Sequence, residues 1–215
     1  MTKEIYKPEQ VSKDLITKAI GSDKEAKEEE LYRPKPNIEY IRSIANIPKR
    51  YRDADFTPIN TKQESLISVI RSNLNNTIED IPDLVIYGTV GTGKTHIAIG
   101  ALNKLIEKGV YCKYTTESQL LEFYFRKQYD TFENFKKTDL LVIDEVGKRE
   151  LAEWQQVQVE ELISYRYNEM LPTIFITNLS ATDFKKALGD RITDRLRDNK
   201  VVQFTIKGES LRGRN

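Results

Sequence analysis

One cysteine, one histidine and one tryptophan occur in 215 residues. The single cysteine, Cys112, excludes an internal disulfide framework and a cysteine-based zinc cluster. It lies in the alternating run Val110-Tyr111-Cys112-Lys113-Tyr114, which reads as a strand with a small buried residue. No apolar run approaches the roughly 20 residues that a membrane-spanning helix needs, so no membrane partner is expected. The start, Met1-Thr2-Lys3-Glu4-Ile5, mixes charges and lacks the apolar region of a secretory signal. An excess of one charge is also missing, since 34 basic and 33 acidic residues give a net +1. Global charge therefore offers no argument for nucleic acid, and any such contact must come from a local patch. What remains is a polar, cytoplasmic chain, long enough for one sizeable core and an appendage.

Against this background one segment stands out: Gly88-Thr89-Val90-Gly91-Thr92-Gly93-Lys94-Thr95. It follows the apolar run Leu84-Val85-Ile86-Tyr87 and precedes a helical pattern with Ile97, Ala98, Ala101, Leu102, Leu105 and Ile106. A strand, a glycine turn and a helix N-terminus in that order make a phosphate cradle. Glycines let backbone N–H groups converge on oxygen atoms, and the helix start adds unpaired donors and a favourable dipole. Lys94 would supply the cation for the β- and γ-phosphates of a nucleotide, and the Thr95 hydroxyl would ligate Mg²⁺. An ordinary glycine turn with a surface lysine gives no reason for Lys-Thr at the helix start. His96 belongs to this segment by position, while its side chain, on the first helical turn, reads as structural rather than catalytic.

Residues 1–57 differ from the rest. Val11, Leu15, Ile16, Ala19 and Ile20 form a short helical pattern that Gly21 would end. The pattern suits either a solvated tail or a helix that docks one apolar face on a partner. A charged run over 22–30 and Arg33-Pro34-Lys35-Pro36 follow, which is linker chemistry. Ile38, Ile41, Ile44 and Ala45 suggest a second short helix. Residues 1–46 are therefore read as an N-terminal helical and extended appendage, and 47–215 as the main domain. From Thr61-Lys62-Gln63-Glu64, which has capping-box spacing, helical and strand-like runs alternate. Strands are expected at 84–87, 110–114, 140–143, 173–177 and 201–206, and helices at 62–74, 94–107, 117–127, 150–169 and 182–188. Such alternation predicts an α/β fold with a parallel sheet covered on both faces.

In such a sheet, ligands bind at the carboxyl ends of the strands. Leu140-Leu141-Val142-Ile143 ends in Asp144-Glu145. Asp144 would emerge beside the phosphate loop and hold Mg²⁺. Glu145 points differently and suits a base that orients an attacking water, unless the pair merely caps a helix. Thr173-Ile174-Phe175-Ile176-Thr177 ends in Asn178, which would sit between the two motifs and reach the γ-phosphate or the water. Arg191 and Arg195 share a helix face at i and i+4. Their planar forks fit phosphate oxygens, and their place after the last site strand points to those of a neighbouring subunit's nucleotide. The alternative is salt bridging to Asp190, Asp194 or Asp198.

These motifs resemble those of the AAA+ ATPases, and within them the replicative helicase loaders of the DnaC/DnaI type, related to the IstB transposition helpers. The likeness covers roughly 47–212. It is carried by Ile47-Pro48-Lys49-Arg50-Tyr51, the phosphate loop, Asp144-Glu145, Tyr165-Arg166-Tyr167-Asn168-Glu169, residues 172–179, Gly189-Asp190-Arg191-Ile192-Thr193-Asp194-Arg195-Leu196, and Gly208-Glu209-Ser210-Leu211-Arg212. The resemblance implies a five-stranded parallel P-loop sheet without a C-terminal helical lid. It implies ATP held between self-associating subunits, with Arg195 acting in trans and Arg191 supporting the same interface. Ile47 and Tyr51 would touch adenine, and Arg212 would act as a sensor arginine. A hexameric replicative helicase and single-stranded DNA are the implied partners. The N-terminal region lacks the zinc-ligand cysteines of the DnaI branch, so its docking role is inferred from position. Residues 115–137 fall where initiator-type members insert a DNA-lining helix, and they interleave Phe123, Tyr124, Phe125, Tyr129, Phe132 and Phe135 with Arg126, Lys127, Lys136 and Lys137. That mixture suits base stacking with phosphate contact, and equally an aromatic core seam with solvated lysines. A transposition helper shares nearly all these motifs. A P-loop metabolite kinase is disfavoured by the Asp144-Glu145 pair and Asn178.

Overall fold

A computed structural model describes residues 37–57, 63–198, 201–206, 208, 210 and 211. They belong to one compact unit, Asn37–Asn215. Five strands, β1 (Leu84–Gly88), β2 (Cys112–Thr116), β3 (Leu140–Asp144), β4 (Thr173–Thr177) and β5 (Val202–Ile206), form one parallel sheet in the order β2-β3-β4-β1-β5. Helices α1 (Ile38–Ile44), α2 (Glu64–Asn73) and α3 (Lys94–Glu107) precede β2. Then come α4 (Glu117–Phe125), α5 (Tyr129–Lys136), α6 (Glu153–Asn168), α7 (Ala181–Leu188) and α8 (Asp190–Asp198).

The inner strands β1, β3 and β4 are buried at nearly every position because both faces are covered, whereas the outer strands β2 and β5 have more open positions at Lys113, Gln203 and Thr205. Alternate residues go to opposite sides. Leu84, Ile86, Leu140, Val142, Ile174 and Ile176 join α1, α2 and α3 in one core. Val85, Tyr87, Leu141, Ile143 and Phe175 join Leu120, Phe132, Leu162 and Phe184 in the other. Ile41 of α1 is completely buried in the first core, so this helix packs as part of the main body although the reading from sequence left it in the appendage. Beyond α1, the Tyr114 N–H donates to the Ala45 carbonyl at 2.8 Å, and the Asn46 amide donates to the Tyr114 carbonyl at 2.9 Å.

Two local departures from the sequence reading have clear causes. The helix expected over 117–127 stops at Phe125, where Lys127 adopts a left-handed φ of 58°, and α5 begins at Tyr129. The turn lets Phe132 and Phe135 reach the core beneath Tyr124 and Phe123. Arg166, expected only as part of a likeness, is buried at 1% exposure. Its guanidinium donates to the carbonyls of Lys136, Thr138 and Pro172 and to the Thr173 hydroxyl, joining α5, α6 and β4. Desolvation lowers its pKa to about 10, and the Asp83 and Asp139 carboxylates oppose that fall, so it stays charged at neutral pH.

Candidate nucleotide site

The strand order decides which loops meet. β4 lies between β1 and β3, so the loops after these three strands converge at one edge of the sheet, where ligands bind in open parallel sheets. The phosphate loop leaves β1 at Gly88 and enters α3 at Lys94. Gly93 caps α3 in the left-handed region, φ 86°, and a Cβ there would come within 2.5 Å of the Gln63 amide nitrogen. That amide donates to the Thr92 carbonyl at 2.8 Å and supports the loop from below. Thr89 donates to the Gly208 carbonyl, and the Leu211 N–H donates to the Gly91 carbonyl, so the C-terminal residues lie along the loop's other side.

The Lys94 ammonium is nearly buried. It donates to the carbonyls of Gly88 and Thr89 and to the Asn178 side-chain oxygen, each at 2.8 Å. Asn178 therefore does stand between the two motifs. The Thr95 hydroxyl donates to Asp144 Oδ2 at 2.7 Å, and the Tyr114 hydroxyl donates to the same oxygen at 3.0 Å. Burial, first, and the Asp144 charge, second, push the Tyr114 phenol far above its ordinary range, so it remains a donor. A hydroxyl and a carboxylate in contact are hard oxygen donors of the kind Mg²⁺ takes. Among the described residues no group of three histidine, cysteine, aspartate or glutamate side chains could hold a metal by itself. Thr95 and Asp144 thus fit the oxygen chemistry of Mg²⁺, whose other ligands would have to come from outside the protein.

Glu145 follows in a left-handed conformation, φ 57°. Such a backbone is strained for a non-glycine residue by about 1 kcal/mol or more and tends to occur at working sites. Its carboxylate accepts from Lys148 at 2.9 Å. Both groups are half exposed, so this pair is weak and exchanges easily. The next residue is pinned: the Val146 N–H donates to the Ile176 carbonyl, and Thr177 donates to the Val146 carbonyl.

Other expected residues have different partners. His96 faces Asp55 at 3.9 Å, in keeping with a structural role. Ile47 and Tyr51 are half-buried and pack on the α1–α3 core. Arg191 reaches Glu160 of α6 at 3.0 Å, and Arg197 takes Asp194. Arg195 donates to the Arg191 carbonyl at 3.2 Å. Arg212 and the helical pattern over 11–20 lie outside the described residues. Tyr114, Gln63 and Glu117 were not foreseen. Only Tyr114 carried a signal: Thr116 pairs with Asp144 in register, and two residues back returns to the same face.

A model of the IstB-like ATP binding protein family matches residues 22–215. The chain belongs to that family. It is 26% identical over 163 residues to the replicative helicase loader DnaC of Escherichia coli (strain K12), an alignment covering 71% of this chain and 65% of that one. The chain thus matches somewhat under two thirds of that relative's length. The crystal structure of the DnaC helicase loader superposes with a TM-score of 0.66 at 25% identity, covering 73% of this chain and 99% of that one. The crystal structure of DnaI gives a TM-score of 0.68 at 19% identity, covering 80% and 99%, which speaks for the fold alone. The expected five-stranded AAA+ sheet, akin to DnaC and IstB proteins, is thereby borne out. No described helix is long and apolar enough to cross a membrane.

Proposed function

We propose that this chain is an ATPase that loads a replicative DNA helicase onto single-stranded DNA. The observation that carries the reading is the constellation at one sheet edge: Lys94 tied to Asn178, Thr95 tied to Asp144, and Glu145 beside them in a strained backbone. Bound Mg²⁺ would neutralise charge on the phosphates, with Thr95 and Asp144 as its protein ligands. Lys94 gives up its carbonyl and amide partners for the β- and γ-phosphate oxygens. Glu145 leaves Lys148 and accepts the proton of an attacking water, which Asn178 helps to align. Arg195, backed by Arg191, reaches the nucleotide of a neighbouring copy from the exposed face of α8. Ile47 and Tyr51 border adenine, and residues 1–46 dock the helicase.

Support for a DNA surface comes from the end of α4. Phe125 is 73% exposed, its ring centroid 6.2 Å from that of the exposed Trp154; the exposed Arg126, paired with Glu122, and Lys127 follow it, and the exposed Arg149 lines the same groove. Exposed aromatics among cations suit stacked bases and phosphates. Glu145→Gln is the test. Removing a general base lowers turnover by about a hundredfold or more. ATPase equal to the parent's would refute the assignment. The family description favours a second reading, a transposition helper. Copurification from native cytoplasm separates the two: a hexameric helicase supports the loader, and a transposase supports the helper.

A further inference from the structure

Glu117 opens α4, where Thr116 and Gln119 form a reciprocal cap. Glu117 is 3% exposed, and among the described residues its carboxylate forms no ion pair. Instead Oε2 accepts the Gly147 N–H at 3.2 Å. Leu120, Ile143, Val146, Val159, Ile163 and Phe175 surround it. A buried carboxyl in apolar surroundings is unfavourable for stability alone and asks for another reason to be there. Desolvation pushes its pKa up to about 7, against the pull of the Gly147 N–H and the Arg149 charge.

The group it holds is the middle of a short loop with two functional ends. One end is Glu145, in the nucleotide site. The other is Arg149, which lines a groove with Ser118, Leu121, Glu122, Phe125, Trp154 and Gln155; the Glu122 carboxylate is paired with Arg126 at 2.6 Å. Between them the loop is tightly placed: Gly147 has φ 70°, and a Cβ there would come within 2.6 Å of Leu179. Glu117 and Ser118 are adjacent on α4, so the same helix start holds the loop and walls the groove. A shift of Arg149 is transmitted toward Glu145 through four peptide units with Gly147 fixed at their centre.

We propose that the 145–149 loop couples the groove to the hydrolytic site, and that Glu117 is the positioning residue that makes the coupling stiff. This rests on the reading of the groove as a single-stranded DNA surface: one base stacks against Phe125 and Trp154, and its phosphate meets Arg149. DNA in the groove draws Arg149 outward and turns Glu145 from Lys148 toward the water. By reciprocity, ATP in the site changes the groove.

Trp154 is the chain's single tryptophan, so its fluorescence reports on the groove alone. The full chain is compared with Glu117→Leu, which removes the acceptor, and Glu117→Gln, which keeps one. Three quantities are read: Trp154 emission on adding a non-hydrolysable ATP analogue, affinity for oligothymidylate, and ATPase at saturating oligothymidylate relative to none. The parent and Glu117→Gln should show the analogue-dependent emission change and several-fold DNA stimulation. Glu117→Leu, folded by circular dichroism, should lose both while its DNA affinity stays within twofold. An analogue that leaves parental Trp154 emission unchanged overturns the coupling. So does a Glu117→Leu protein that behaves as the parent, or a Glu117→Gln protein as impaired as Glu117→Leu. Absence of DNA binding by the parent, with the emission response present, refutes the loader's DNA surface and leaves the coupling of loop to groove standing.

Discussion

Replacing Glu117 by glutamine should make the protein's stability less sensitive to pH. The carboxyl has its pKa raised from 4.5 to about 7, chiefly by burial. Below about pH 4.5 it is protonated in both folded and unfolded chains. Between pH 4.5 and 7 the unfolded chain releases the proton and the folded chain keeps it. The folded state then binds more protons, so stability falls as pH rises through this window and levels off above pH 7. Each pH unit contributes about 1.4 kcal/mol, so the window is worth about 3 kcal/mol. Glutamine has nearly the same shape, can still accept from the Gly147 N–H, and does not titrate. The stability of Glu117→Gln relative to the parent should therefore rise by about 3 kcal/mol between pH 4.5 and 8, or about 10 °C in Tm for a domain of this size. Urea unfolding of both proteins at half-unit pH steps measures it. Other titrating groups, such as Asp55 and Glu133, whose pKa values are lowered, cancel in the difference. Two stability curves that run parallel from pH 4.5 to 8 would refute the argument, because an ionised Glu117 would then be as comfortable inside as in water.

Further outcomes follow from other residues. Arg166→Met leaves the carbonyls of Lys136, Thr138 and Pro172 without their donor, and should lower stability by about 3–5 kcal/mol in urea unfolding; a loss under 1 kcal/mol would mean that water replaces the guanidinium. Arg195→Ala should lower ATPase severely, and mixing it with a Lys94→Ala protein should restore part of the activity. Such a mixture pairs an intact nucleotide site with an intact arginine, and no recovery would argue against action in trans. Deleting residues 1–36 should leave ATPase within twofold but abolish helicase capture in a pull-down; unchanged capture would remove the docking role from the N-terminus.

The inner strands β1, β3 and β4 were legible because each is a short apolar run with no polar face to blur the signal, and the outer strands β2 and β5 because their polar and apolar residues alternate. The phosphate loop, Asp144 and Asn178 were legible for a related reason: each follows such a run, so topology delivers all three to the same edge. The rest depended on contacts that no local pattern encodes. Arg166 looks like any surface arginine of a helix until the ends of α5 and β4 present their carbonyls to it. Glu117 has a capping-box signature, Thr116 to Gln119, that locates the helix start, but its burial is decided by Phe175 and Val159 from distant segments. The helix expected over 117–127 ends within two residues of the observed break, whereas α5 was not foreseen because Tyr129, Phe132 and Phe135 lie among lysines in a stretch read only as aromatic and basic. Only the core's need for Phe132 and Phe135 turns the chain there.

The hydrogen bonds that join Ala45 and Asn46 with Tyr114 bear on how the molecule avoids its own kind. β2 is an outer strand, and an outer strand with open N–H and C=O groups is a template on which another chain can grow. The residues after α1 occupy part of that template. A shortened protein that starts at Asn37 keeps the guard, whereas one that starts at Ile47 exposes the middle of β2 and uncovers the Ile41 pocket beside it. The second should precipitate or self-associate through the sheet, and such association would be mistaken for assembly through the nucleotide.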